Sequence, residues 1–82
     1  MPLTILIAED QRLFRQSLRL LLEHESDMVV VGDAMDGRQA FDLAVEHKPD
    51  IVLMDVDMPR LDGITATRLI RSCVPDCRVL ML

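Results

Sequence analysis

The sequence predicts an α/β protein built on a parallel sheet, and two observations predict it. Four short apolar runs alternate with three amphipathic stretches of helical length, giving the order βαβαβαβ. The run Ile51-Val52-Leu53-Met54 is apolar without alternation, the mark of a strand covered on both faces, as parallel strands are. Right-handed crossovers then join successive strands. Sheets of this kind place their sites at the carboxyl ends of the strands, near the point where strand order reverses.

Each element has a local reason. Residues 3–8, Leu-Thr-Ile-Leu-Ile-Ala, form a β-rich run that ends in two acids, Glu9-Asp10. A helix follows, with Phe14, Leu18, Leu21 and Leu22 at the i, i+4, i+7, i+8 spacing of one buried face. Met28-Val29-Val30-Val31 is the second strand, expected to stop at Gly32. Asp36 opens the second helix as an N-cap, with Gln39 placed to reach back as in a capping box. Ala40, Phe41, Ala44 and Val45 form its expected buried stripe. Pro49 ends it, because the residue before a proline avoids helical angles.

The third strand, residues 51–54, runs into Asp55. A loop with Pro59 and Gly63 leads to a third helix, on which Ala66, Leu69, Ile70 and Cys73 share a face. Pro75 breaks that helix. Arg78-Val79-Leu80-Met81-Leu82 starts a fourth buried strand. No internal repeat, low-complexity segment or linker interrupts this order.

Composition excludes several function classes. With 82 residues the chain holds at most one domain, and with half of them hydrophobic it is too apolar for a disordered segment. Two phenylalanines are its only aromatics, so the core must be aliphatic, with the six methionines filling gaps. A formal charge of −5 with scattered basic residues argues against a nucleic-acid surface here. Cys73 and Cys77 alone make neither a disulfide framework nor a zinc site, and read as reduced thiols. No apolar run reaches membrane-spanning length, and the N-terminus lacks a signal-peptide pattern, so a cytoplasmic location is expected.

Three acids fall where the strand-end rule puts a site: Glu9 and Asp10 after the first strand, Asp55 after the third. A single Asp at a strand end is ordinarily a turn or cap residue. Three acids at neighbouring strand ends fit a hard divalent cation, which relieves their mutual repulsion. Mg²⁺ takes oxygen ligands and keeps open positions for phosphoryl oxygens. Asp55 is then a candidate nucleophile forming an acyl phosphate.

At this point the residues resemble a known family. Ile5-Leu6-Ile7-Ala8-Glu9-Asp10, and Asp50-Ile51-Val52-Leu53-Met54-Asp55-Val56-Asp57-Met58-Pro59-Arg60-Leu61-Asp62-Gly63, look like the two signature segments of bacterial response-regulator receiver domains. The resemblance implies a flavodoxin-like (CheY-like) α/β fold with strand order 2-1-3-4. It implies that Asp55 is the phosphoacceptor, that Asp10 binds Mg²⁺ directly, and that Glu9 helps through a bound water. Asp57 would supply its backbone carbonyl to the metal, Pro59 and Gly63 would shape the loop, and Met58 would be structural. The partner implied is a sensor histidine kinase. The phosphoryl group would be accepted, not turned over, so the chain is not expected to be an enzyme.

The family also needs a Thr or Ser at the end of strand 4 and a Lys at the end of strand 5. Leu82 falls inside strand 4, before both, and Lys48, the only lysine, precedes strand 3. The expectation is a fragment of a longer protein, lacking helix 4, strand 5 and helix 5, and unable to complete the switch. Its strand 4 edge, Val79-Leu80-Met81-Leu82, would then invite self-association. Glu9-Asp10-Gln11 with Leu13, Phe14, Arg15 and Leu18, together with residues 30–34 and Asp36-Gly37, is similar to regulators carrying a LuxR/NarL-type helix-turn-helix. DNA would be bound only by that output domain, which lies outside this chain.

Other readings compete. Asp55-x-Asp57 after an aliphatic strand is similar to haloacid-dehalogenase phosphatases, but Pro59 stands where that motif wants Thr or Val, and Glu9-Asp10 has no role there. A calcium loop lacks its third acid and its glycine at EF-hand spacing. A purely structural interaction module would leave the acids unused. His24 and His47 at helix ends read as solvated. So do Arg12, Arg15 and Arg19, although in the family this face can meet the kinase.

Overall fold

The computed structural model describes residues 2–82. Its elements are β1 (Leu3–Ala8), α1 (Arg12–Glu23), β2 (Met28–Ala34), α2 (Gly37–His47), β3 (Ile51–Met54), α3 (Gly63–Cys73) and β4 (Arg78–Met81). All strand pairings are parallel, in the order β2-β1-β3-β4. This is the flavodoxin-like arrangement expected. The order reverses at β1, between β2 and β3, which opens a crevice at the carboxyl ends of β1 and β3.

Two apolar layers hold the sheet. Leu6, Ala8, Ala34, Val52 and Met54 lie under α2 and α3, packed against Ala40, Ala44, Ala66 and Ile70. On the opposite face Ile5, Ile7 and Val30 are covered by Leu18 and Leu22 of α1. The small alanines on α2 and α3 let these helices approach the sheet closely, and this side carries most of the core.

The α1 face is thinner, and several sequence expectations fail there for that reason. Leu18 and Leu22 pack as the spacing requires, but Leu21 is 66% exposed and Phe14 is also exposed. The principal contacts of α1 are with β1 and β2 alone. The β3–β4 half of that face is left open: Ile51 and Leu53 are half-buried and Leu80 is 53% exposed. The uniform apolarity of residues 51–54 therefore meets unequal cover, with Val52 and Met54 buried on the α2–α3 side. Val45, Leu69 and Cys73 are exposed as well, because each flanks its helix stripe beyond the reach of the sheet.

Two terminations also differ. Gly32 does not stop β2. It pairs with Leu6, and the strand runs on to Ala34. The ladder slips by one residue between Ile5 and Leu6, so Val31 has no partner on β1. Lys48 does not take extended angles before Pro49. It closes α2 in the left-handed region at φ 47°, with its N–H donating to Ala44 O. The start of α2 follows the sequence more closely. Asp36 Oδ1 accepts from Gln39 N at 2.8 Å, while Gln39 Oε1 reaches back to Met35 N, one residue earlier than a capping box requires.

Candidate acidic metal and phosphoryl site

The strand ladder continues into the crevice and fixes the site backbone. Glu9 N–H donates to Ala34 O at 3.0 Å, Asp55 N–H to Ala8 O at 2.9 Å, and Leu82 N–H to Met54 O at 2.8 Å. Glu9 is thus held by the β1–β2 register that pairs Ala8 with Ala34, and Asp55 by the β1–β3 register that pairs Ala8 with Met54. An open cavity of about 850 Å³ lies above them, lined by Glu9, Asp10, Asp55, Asp57, Met58 and Pro59 among others.

The three acids singled out from the sequence meet here. Glu9, Asp10 and Asp55 each offer a carboxylate oxygen within 4.8 Å of the others. Glu9 is 3% exposed, Asp55 half-buried and Asp10 exposed. Burial pushes the Glu9 carboxyl up from 4.5 to about 7. Contact with Asp55 and the charges of Asp55 and Asp10 add to the shift, and the Gln11 N–H at 3.3 Å from Glu9 Oε1 partly offsets it. The cluster therefore favours holding a proton on Glu9 when no other cation is near. An all-oxygen, acidic, open set of this kind suits a hard divalent ion, which would take over the neutralising role of that proton.

Asp57 lines the same cavity, but its carboxylate is not one of the converging three. Pro59 lines it as well. Met58 is buried in the α2–α3 core, consistent with a structural part. Gly63 begins α3 against the site backbone: its N–H donates to Val56 O at 3.0 Å, and an added Cβ would lie 2.1 Å from Asp55 O. Asp62 caps the helix by accepting from Thr65 N at 2.8 Å. That backbone N–H is the first cause holding its carboxyl below the usual range.

Sequence reasoning missed one residue. Arg15 is half-buried, not on a solvated face, and its Nη1 donates to Glu9 O at 2.7 Å, tying α1 to the acidic turn. A separation of six residues across a turn carries no periodic signal that could have shown it. Arg19 likewise pairs with Glu23 and Asp33 at 2.7 and 2.8 Å, while His24 and His47 are exposed as expected.

A parallel sheet with three carboxylates gathered at its switch point defines a flavodoxin-like domain with an acidic strand-end site. The chain belongs to the response regulator receiver domain family, whose model matches residues 5–82. It is a receiver domain of two-component response regulators. It is 40% identical over 78 residues to the transcriptional regulatory protein DegU of Brevibacillus brevis, covering 95% of this chain and 33% of that protein. The response regulator domain of Thermotoga maritima CheB superposes with a TM-score of 0.95 at 38% identity, covering 99% of this chain and 60% of that one. A two-component response regulator of the LuxR family from Aurantimonas superposes at 0.91 with 36% identity, covering 99% and 58%. The chain spans about a third of the length of the curated relatives it matches. Among the described residues, no helix is long and apolar enough to cross a membrane.

Proposed function

We propose that this chain accepts a phosphoryl group on Asp55 from a histidine kinase, in a Mg²⁺-dependent reaction that serves transcription control. The convergence of Glu9, Asp10 and Asp55 at one strand edge carries this reading. Asp10 and Asp55 would hold the ion with side-chain oxygens, Glu9 would support it, and Asp57 would offer its backbone carbonyl. When bound, Mg²⁺ neutralises charge on the transferring group and on the acids around it.

The chain's own residues do the rest. Asp55 Oδ attacks the phosphorus of the donor; the bond from phosphorus to the donor breaks and its electron pair leaves with the donor group. Asp55 then carries an acyl phosphate. Ala8 O and Gly63 hold the Asp55 backbone from two sides, so the nucleophile is oriented before the donor arrives. The open cavity admits a bulky donor such as a phosphorylated imidazole.

The proposed output is a helix-turn-helix domain elsewhere in the parent protein. The similarity to a transcriptional regulatory protein and to a LuxR-family regulator supports it.

The test is intact mass after incubation with Mg²⁺ and acetyl phosphate, with Asp55→Asn alongside. One added phosphoryl group that needs both Mg²⁺ and Asp55 is the expected result. Labelling that survives Asp55→Asn would refute the assignment.

A further inference from the structure

We propose that Gly37, at the start of α2, is a positioning residue for the loop that follows Asp55. This inference rests on the phosphoacceptor reading above. The loop crosses the mouth of the site at Asp57 and Met58 and then turns back over α2. Leu61 N–H donates to Pro59 O at 2.8 Å, and Arg60 takes the left-handed region at φ 68°. Leu61 packs its side chain against the α2–α3 core.

The Leu61 backbone meets Gly37 directly. A Cβ on Gly37 would lie 1.9 Å from Leu61 O, 2.6 Å from Leu61 C and 2.9 Å from Leu61 Cβ. Two of these are backbone atoms, so no side-chain rotation relieves the contact. The φ of Gly37 is not positive, so conformational freedom is not the reason for glycine here. Close approach is the reason. The neighbouring Asp36 adds a weaker tie, with Arg60 Nε at 3.8 Å from its Oδ2.

The loop is therefore clamped at both ends by glycines from different helices. Gly63 admits Asp55 O, and Gly37 admits Leu61 O. Between the two clamps lie Asp57, the proposed carbonyl ligand, and Pro59 on the cavity wall. A residue with a side chain at 37 must push the Leu61 segment outward. The displacement passes along a short, turned loop to Asp57.

The test is Gly37→Ala, compared with Gly32→Ala. At Gly32 an added Cβ meets only side-chain atoms, Leu6 Cδ1 at 3.3 Å and Leu43 Cδ1 at 3.7 Å, so that variant controls for a general loss of packing. Amide NMR spectra of this chain, recorded without metal and then titrated with MgCl₂, read both the loop and the site. Expected for Gly37→Ala are shifted amides across residues 57–62 and Mg²⁺ affinity lowered by about tenfold or more. Gly32→Ala should hold Mg²⁺ affinity within about twofold.

Gly37→Ala with unmoved loop amides and wild-type Mg²⁺ affinity would overturn the proposal. So would equal losses in both variants. If Gly37→Ala does not fold, Gly37→Ala/Arg60→Gly is read in its place, since a glycine at 60 lets the loop retreat. Recovered folding with Mg²⁺ affinity still lowered supports the clamp, and recovered affinity refutes it. A wild-type chain that never responds to Mg²⁺ would instead refute the metal reading. The metal-free amides of residues 57–62 would then decide the clamp alone.

Discussion

Glu9 offers a direct way to weigh the electrostatic cost of the site. Its carboxyl is raised from its ordinary 4.5 to about 7, first by burial and then by Asp55 and Asp10. Between those values the folded chain binds more protons than the unfolded chain, so stability falls as pH rises. Below about 4.5 Glu9 is protonated in both states and imposes no penalty. Above about 7 it is charged in both, and the penalty is complete. A shift of this size corresponds to at most about 3 kcal/mol. The cavity opens to solvent, which screens the charge, so about 1 to 2 kcal/mol is expected. Glu9→Gln removes the charge and keeps the shape. In urea denaturation Glu9→Gln should match wild type near pH 4.5 and exceed it by that amount at pH 8. If the two proteins show parallel stability from pH 4.5 to 8, within about 0.5 kcal/mol, the account of Glu9 is wrong.

Other outcomes follow from the packing. Gly63→Ala would force a Cβ against Asp55 O at 2.1 Å; a loss of about 1 to 3 kcal/mol in urea unfolding is expected, together with reduced phosphorylation by acetyl phosphate. Asp36→Ala removes the cap on Gln39 N and should cost about 1 kcal/mol, read as a lower thermal midpoint. Leu80→Lys places a charge on the open half of the α1 face beside the β4 edge. If that edge associates between chains, light scattering should show a smaller mass for the variant than for wild type.

The sheet and the acidic cluster were legible in the sequence because both depend on short-range signals. Unbroken apolar runs mark parallel strands, and acids directly after two of them locate the switch point. The resemblance to receiver domains supplied the strand order, which spacing alone does not fix. Less legible was what each apolar residue meets. Helical periodicity marks Leu21, Val45 and Leu69 as inward, yet burial depends on which neighbours exist, and all three stay exposed. The roles of Arg15 and Gly37 were invisible for another reason. Both arise where separate elements touch, Arg15 at a backbone carbonyl six residues away and Gly37 at a loop twenty-four residues downstream.

The unpaired Val31 has a bearing on how this strand tolerates changes of length. Val30 stands with Ile5 and Ile7 on one face, whereas Gly32 and Ala34 stand with Leu6 and Ala8 on the other. Across the slip Val30 and Gly32, two apart, therefore point to opposite sides, and strict alternation misassigns every position after it. Removing Val31 would take out the one residue that breaks the ladder with β1. With Val30 kept opposite Ile5, the pairs from Leu6 onward survive and the strand simply loses its bulge. With Ala34 shifted instead, the Asp33 carboxylate would leave Arg19 and turn toward the alanine-lined core. A one-residue gap at this point in a comparison of relatives is thus neutral in one alignment and disruptive in the other. Strand phase, not chain length, decides which alignment is physical.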